Sequence, residues 1–217
     1  MLQCQFKLQF TLNFMMIRLV LLTVLFQSVV CNLYFPVFVA FAGNGQSVYD
    51  AWVGPSLRND IPTLLGQNQR QTHLRNHFID HWTGVTQVKL ELFNNNERVM
   101  WIKFDGNGTD KINWFSKERL EDSSFKDLAP CSTFNYFSLI GEARTQRLDR
   151  KFFINRSYGG CPVDSGWFCI ADKHQACPWE KRGPPPVFIY TKNKTPRFYE
   201  TDSLTADTMV ISVLFDL

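Results

Sequence analysis

The chain has 217 residues, of which 45% are hydrophobic and 20% are charged, so it can bury the core of one domain and is not intrinsically disordered. Residues 1–31 hold two of the 23 basic residues and no acidic residue. The rest of the chain therefore has 21 basic residues against 20 acidic ones, a formal net charge of +1. This balance gives no electrostatic reason to expect nucleic acid or an anionic membrane as a partner.

The N-terminal residues have the composition of an export signal. Two basic residues precede the apolar run 19–26, and the residues that follow suit cleavage by signal peptidase before Asn32. We therefore predict a signal peptide over residues 1–31 and a single secreted β-rich domain over residues 32–217.

Three alternatives to this processing remain open. Synthesis can start at Met15 or Met16, cleavage can follow Ala42, or the segment can stay in the membrane as an anchor. Polar residues from Gln27 onward interrupt any long apolar span and weigh against the anchor, and nothing after residue 45 is long enough to cross a bilayer. We expect no membrane span once the signal is removed.

A change of period predicts one N-terminal helix. Leu74, Phe78 and Trp82 recur every four residues, which places them on one face of a helix, and Gly84 follows as a terminator. The spacing predicts a helix over about residues 70–82.

Alternating apolar and polar residues predict antiparallel strands in the rest of the chain. In residues 85–104, Val88, Leu90 and Leu92 alternate with polar residues, and an Asn-rich turn reverses the chain, which predicts a hairpin. Apolar runs predict further strands at 37–41, 134–140, 151–154, 166–170, 187–190 and 208–215. We predict a mainly β fold, an antiparallel β-sandwich-like domain with one helix, stapled by disulfides.

Cysteines and glycosylation motifs agree with export. Cleavage before Asn32 leaves an even set of four cysteines, Cys131, Cys161, Cys169 and Cys177, which in an oxidising compartment predicts disulfides with three possible pairings. Asn-X-Ser/Thr motifs predict glycans at Asn107, Asn155 and Asn193.

Two motifs resemble metal sites. His73, His77 and His81 would project along one side of a helix, but zinc needs its ligands within about 2 Å of one point, and a straight helix does not bring three turns together. The loop Asp105–Asp110 resembles the start of a calcium loop but has Asp110 where the turn glycine of an EF-hand belongs. We predict no bound metal, with a calcium site of another type as the alternative for the loop.

The sequence has no recognisable catalytic set. It lacks a Gly-X-Ser-X-Gly elbow and a phosphate-binding glycine loop, and the thiol of Cys169, near His174, is better explained as half of a disulfide. We predict no catalytic residue, no cofactor and no enzymatic activity.

The tryptophans suggest a different kind of site. Five of them could stack on sugar rings, although core packing is the commoner fate of Trp in a sheet protein: Trp82, Trp101, Trp114, Trp167 and Trp179. A carbohydrate-binding, lectin-like module is therefore the first alternative function, and a secreted hydrolase is the second.

An ordered set of short motifs resembles a family of secreted modules from marine invertebrates. The motifs span about residues 82–215 and include Phe104–Gly108, Asn113–Ser116, Asn135–Ser138, Phe152–Asn155, Tyr158–Cys161, Gly166–Trp167 and Cys177–Glu180. The resemblance extends to uncharacterised proteins of the coral skeletal organic matrix. It implies the pairs Cys161–Cys177 and Cys131–Cys169, and it supplies no catalytic residue.

The sequence and this resemblance together predict a secreted, extracellular and non-enzymatic matrix component, and the resemblance further implies a place in the organic matrix of a calcified skeleton. The expected partners are other extracellular matrix proteins or glycans, and nucleic acid is not among them.

Overall fold

The computed structural model describes residues 33–54, 70–145, 148–192, 198 and 203–216, which belong to one compact unit, Asn32–Leu217. In chain order the elements are β1 (Phe35–Phe41), α1 (Val48–Val53), β2 (Leu74–Arg75), β3 (Val85–Asn94), β4 (Glu97–Asp105), β5 (Leu120–Ser123), β6 (Tyr136–Ser138), β7 (Glu142–Thr145), β8 (Leu148–Ser157), β9 (Ser165–Ala171), β10 (Val187–Thr191), β11 (Ser203–Ala206) and β12 (Thr208–Phe215). The described residues also form two short 3-10 helices, His77–His81 and Lys117–Arg119.

The first sheet has six antiparallel strands in the order β2-β1-β12-β3-β4-β5. The predicted hairpin of residues 85–104 is confirmed as β3 and β4, with Leu90 opposite Ile102. Its turn uses Asn95 and Asn96, both at positive φ, as a tight two-residue hairpin turn requires. The apolar C-terminal strand β12 lies inside this sheet, between β1 and β3.

The second sheet has strands in the order β11-β10-β9-β8-β6, and β7 also pairs with β8. Its centre is the hairpin β8–β9, which confirms the strands predicted at 151–154 and 166–170. Phe152 has a φ of 45° at a shift in the β8–β9 register, and it shares the main core with Ile154 while Phe153 points to the opposite face. A bulge therefore sets which side chains of β8 reach each face of the sheet.

The main core lies between the two sheets. It joins side chains of the first sheet, such as Phe38 and Leu90, to side chains of the second sheet, such as Ile154 and Phe168, all fully buried. Trp52 of α1 packs edge-on against aromatic rings from both sides of this core. The fold is therefore a mainly β, antiparallel, sandwich-like domain, as the alternation of apolar residues predicted.

The position predicted for the helix was wrong. Residues 70–82 contain the short strand β2 and a 3-10 helix, and the α-helix of the described chain is α1, which Ser47 caps through the backbone N–H of Asp50. Leu74 packs on the outer face of the first sheet, whereas Phe78 and Trp82 pack on the main core. The four-residue spacing of these side chains therefore did not indicate one face of a helix. Pairing of β2 with β1 overrides the local preference for a helix.

No helix among the described residues is long and apolar enough to cross a membrane.

Candidate functional site

Arg150 in β8 is the centre of a buried charge cluster on the outer face of the second sheet. Its Nε donates to Glu180 Oε1 at 2.5 Å, and its Nη1 lies 3.3 Å from Asp164 Oδ2 and 4.0 Å from Glu142 Oε2. All four side chains are at most 2% exposed. We call these residues, Arg150, Glu142, Asp164 and Glu180, the Arg150 cluster.

Two of the carboxylates connect Arg150 to the backbone of the loops that carry cysteines. Glu180 Oε2 accepts hydrogen bonds from the backbone N–H groups of Ala176 and Cys177. Asp164 Oδ1 accepts hydrogen bonds from two consecutive glycines, Gly159 and Gly160, just before Cys161. The cluster therefore holds both loops against the sheet and next to each other.

Aromatic rings enclose the guanidinium group. It lies 4.5 Å from the ring centre of Trp179, 5.1 Å from that of Tyr158 and 5.7 Å from that of Phe153, within range of cation–π attraction. Phe198 stacks on Trp179 at 4.8 Å. These rings exclude water from the charges, which strengthens each ion pair and makes each unpaired charge costly.

Burial and neighbouring charge determine the acid–base properties of the cluster. Burial alone would lower the pKa of Arg150, but the carboxylates of Glu180 and Asp164 raise it above its ordinary value, so the side chain stays cationic. Burial raises the pKa of the Tyr158 hydroxyl, against an opposing effect of Arg150. Burial also raises the pKa of the Cys169 thiol well above its usual range, which keeps it protonated and unreactive.

The disulfide Cys161–Cys177 is present and closes the two loops over the cluster. Arg150 Nη2 lies 3.1 Å from Cys177 Sγ, so the bridge and the ion pairs form one unit. This pairing is the one that the resemblance implied.

The second implied pair, Cys131–Cys169, is wrong, because both cysteines are free thiols. Cys169 points to the outer face of the second sheet and packs with Phe153 and Trp179, whereas Cys131 packs against the main core between the sheets. The strands of the second sheet separate the two sulfurs, so they cannot meet within the folded domain.

The three predicted glycosylation sites have different outcomes. Asn107 is exposed in the loop after β4. Asn155 is fully buried, its Oδ1 accepts from Tyr136 N–H and its Nδ2 donates to the carbonyl of Ser157, so the prediction of a glycan there was wrong: the folded domain has no room for it. Asn193 lies outside the described residues.

The three histidines do not converge. His73 is buried, and its ring nitrogens contact Phe41 N, the Asn44 side chain and the carbonyl of Gln46. Burial lowers its pKa, so it is neutral at neutral pH. The rings of His77 and His81 meet edge-on along the 3-10 helix, with their centres 6.5 Å apart. Within the described ranges, no group of three His, Cys, Asp or Glu side chains has the geometry of a metal site.

The acidic loop after β4 is a hydrogen-bonded turn. Asp105 accepts from the backbone and side chain of Asn107 and pairs with Arg119, and these bonds lower its pKa, with the backbone bond making the largest contribution. Asp110 accepts from the backbone N–H groups of Ile112 and Asn113. Hydrogen bonds and an ion pair within the loop therefore account for both carboxylates without a metal ion.

Three of the five tryptophans considered for sugar binding, Trp114, Trp167 and Trp179, are buried in apolar clusters. Trp82 is half-buried against Trp52 and donates its indole N–H to Thr109. Trp101 is half-buried in β4, opposite Glu91 and away from the core. Core packing is therefore the role of the three buried rings, and Trp101 has the most suitable position for a ligand.

The outer face of β3 and β4 is a band of paired charges. Lys89 and Arg98 both bind Glu91, at 3.2 Å and 2.9 Å, and Lys89 also lies 4.2 Å above the ring of Tyr34. Glu121 of β5 extends the band. We call this surface the charged face, formed by Tyr34, Gln87, Lys89, Glu91, Arg98, Trp101, Lys103 and Glu121.

The sequence predicted the strands at 151–154 and 166–170 and the cysteines around them, but not the buried charges that organise this region. The available signal was Arg150-Lys151, two charged residues that open an apolar strand. It also missed Asp172, a buried carboxylate that accepts from Ser47 Oγ at 2.5 Å and from Val48 N at 2.6 Å, and so joins β9 to the start of α1. Burial raises the pKa of Asp172, an effect that these hydrogen bonds oppose.

Comparison with protein-family models, curated proteins and solved structures finds no match to this chain.

Proposed function

We propose that the chain is a secreted, non-enzymatic component of the extracellular matrix that binds other matrix proteins or glycans. The observation that carries this proposal is the disulfide Cys161–Cys177 together with the Arg150 cluster that positions it. Structural disulfides persist in oxidising compartments and are rare in the cytosol, so a domain with such a bridge fits export.

The position of the disulfide adds support. The outer face of the second sheet is covered by loops that the disulfide and the Arg150 cluster hold down. No loop of the described ranges covers the charged face of the first sheet in this way, and there the side chain of Arg98 is 51% exposed and that of Lys103 is 30% exposed. One face thus provides stability and the opposite face provides contact area, as an interaction module requires.

Expression of the full chain in cultured animal cells tests export. We expect the protein in the medium, starting at Asn32 and with Cys161 bonded to Cys177. A variant without residues 1–31 is the matched control and should stay inside the cells with its thiols reduced. Native protein recovered only from the cytosol, with four free thiols, would contradict the proposal.

The narrower form of the proposal is a place in the organic matrix of a calcified skeleton, and its support is the sequence resemblance alone. Mass spectrometry of the acid-demineralised skeleton and of the soft tissue from the same source organism tests it. We expect peptides of residues 33–216 to be enriched in the demineralised fraction. Peptides confined to soft tissue would leave a matrix protein without a role in mineralisation.

A sugar-binding module is the second candidate, because Trp101 combines a half-buried ring with adjacent polar groups on the charged face. A glycan array with the secreted protein distinguishes the two. If the module binds sugar, Trp101→Ala should abolish sugar-competable retention. Trp82→Phe, which changes a ring that packs on the main core, should retain it. An array without sugar-competable binding would favour protein partners.

A further inference from the structure

The chain contains two Asn-Gly pairs, Asn44-Gly45 and Asn107-Gly108. In such a pair the backbone nitrogen of the glycine can attack the side-chain amide carbon of the asparagine, because glycine has no Cβ to obstruct the approach. The reaction requires that the glycine nitrogen is not held in a hydrogen bond and that the asparagine side chain can rotate. The structure separates the two pairs on the first requirement, and on the second it holds the side chain of Asn107 by one hydrogen bond and that of Asn44 by two.

At Asn107-Gly108 the attacking nitrogen is accessible. Asn107 is exposed, Gly108 has a φ of +65°, and a Cβ built at Gly108 would meet no atom within 4 Å. The hydrogen bonds of this turn use the nitrogens of Asn107, which donate to Asp105, and the carbonyl of Asn107, which accepts from Arg119. Among the described residues, the N–H of Gly108 has no hydrogen-bond acceptor.

At Asn44-Gly45 hydrogen bonds hinder the reaction. The N–H of Gly45 donates to the carbonyl of Pro185 at 2.9 Å. The side chain of Asn44 is held at both ends, by Gln46 N–H at its Oδ1 and by the ring of His73 at its Nδ2. A reaction here must first break these bonds.

We propose that Asn107 is a site of spontaneous deamidation and that Asn44 is protected by the fold. At Asn107, the Gly108 nitrogen gives its proton to hydroxide and attacks Cγ. A bond forms between this nitrogen and Cγ, the Cγ–Nδ2 bond breaks, and ammonia leaves with a proton from water. The cyclic imide then adds water at either carbonyl and opens to aspartate or isoaspartate, so the net change consumes one water and releases one ammonia.

The product changes the loop. The Nδ2 of Asn107 now donates to Asp105 Oδ1 at 2.8 Å, and a carboxylate in its place faces the anion of Asp105. The isoaspartate form also adds a methylene to the backbone beside the ion pair between Asp105 and Arg119. The turn after β4 therefore gains a negative charge and loses a hydrogen bond. A glycan on Nδ2 of Asn107 would occupy the leaving nitrogen, so glycosylation and deamidation exclude each other at this residue.

The experiment uses the full chain produced without glycans, with its disulfide intact, and incubated at neutral and at mildly alkaline pH. Mass spectrometry of tryptic peptides measures, at each asparagine, the fraction of side-chain amide that has become a carboxyl group. We expect conversion at Asn107 to be faster than at Asn44 by about tenfold or more, since the reaction at Asn44 must break several hydrogen bonds. Higher pH should accelerate conversion at Asn107.

Two controls make the result decisive. In urea-unfolded chain both pairs should convert at similar rates, because the protection of Asn44 depends on the fold. Gly108→Ala should slow conversion at Asn107 by adding a Cβ next to the attacking nitrogen. Equal rates in the native protein, faster conversion at Asn44, or native protection of Asn107 relative to the unfolded chain would each overturn the proposal.

Discussion

Arg150 illustrates at the scale of one residue how a buried charge can organise a surface. Its guanidinium group binds Glu180 and Asp164, and each of these carboxylates also binds the backbone of a cysteine-bearing loop. In the folded domain these contacts hold the two loops within bonding distance of each other. The buried guanidinium group stabilises this surface because water is excluded from it and because it pairs with the carboxylates of both Glu180 and Asp164.

Arg150→Met tests this role. The variant keeps an apolar stem but leaves the carboxylates of Glu180 and Asp164 buried without their cation, so we expect a loss of about 3–5 kcal/mol in the free energy of unfolding. Urea denaturation followed by circular dichroism measures it. The control is Arg119→Met, which removes a partly exposed ion pair with Asp105 and should cost about 1 kcal/mol or less. Equal losses in the two variants would contradict the role of Arg150.

Asp80 gives a prediction about pH. It forms a two-point ion pair with the nearly buried Arg75 and a third contact with Lys111. The hydrogen bond from Arg75 is the main reason that its pKa lies well below the usual range. Because the folded-state pKa is lowered, the pair stabilises the fold above the unfolded carboxyl pKa, and this contribution is lost as the pH falls.

We expect Asp80→Asn to lower the free energy of unfolding by about 1–3 kcal/mol at neutral pH. The difference from the unaltered protein should shrink as the pH falls below about 3.9, where the carboxyl of the unfolded chain takes up a proton. Thermal or urea unfolding across a pH series measures both effects. Glu97→Gln, at an exposed site in β4, is the control and should change little. A difference that stays constant into acid would refute the assignment.

At the scale of elements, glycines show where strands approach too closely for a side chain. Gly141, just before β7, has a φ of +63°, and a Cβ there would lie 2.0 Å from the carbonyl oxygen of Arg150. Gly84 has a similar φ of +69°, but a Cβ there would meet nothing within 4 Å. Substitutions at the two positions therefore separate the cost of a strained backbone from the cost of a steric clash.

We expect Gly84→Ala to cost about 1 kcal/mol, from the left-handed backbone alone. Gly141→Ala should cost about 2–5 kcal/mol, because it must also displace β8 at the residue that centres the Arg150 cluster. Melting curves of the two single variants, recorded side by side, make the comparison. If both lose the same stability, the close approach of Gly141 to β8 does not constrain the fold.

At the scale of the whole molecule, the disulfide joins loops on either side of β9 that are 16 residues apart in sequence. It restricts the unfolded chain, and closure of a loop of this size stabilises a protein by about 3 kcal/mol. Cys161→Ser should therefore lower the free energy of unfolding by about 2–4 kcal/mol. Urea denaturation with and without reductant measures this loss, and reductant should affect the variant little.

Cys131→Ser is the matched control, because it removes a free, half-exposed thiol and should leave stability nearly unchanged. In native protein a thiol reagent should label Cys131 but not Cys169, whose burial keeps it protonated and inaccessible. Labelling of Cys169 at the same rate as Cys131 would contradict the burial of β9. Loss of stability in Cys131→Ser would indicate that this cysteine has a structural role after all.

The strands and their pairing into hairpins follow from the sequence, because alternation of apolar and polar residues depends on local chain geometry. β3, β4, β8, β9, β10 and β12 all lie where this alternation or an apolar run predicted them. The helix was misplaced, since the spacing of Leu74, Phe78 and Trp82 matches a helical period while these side chains serve different faces. Local periodicity cannot tell a coincidence of spacing from a shared environment.

Pairings between distant residues were decided by the tertiary structure. The sequence left three ways to join four cysteines, and the fold leaves Cys131 and Cys169 apart because a sheet lies between them. Burial of Asn155 and the ion pairs of Arg150 depend in the same way on strands brought together from separate parts of the chain. Side-chain period is set by neighbours along the chain, but solvent exclusion and charge pairing are set by neighbours in space.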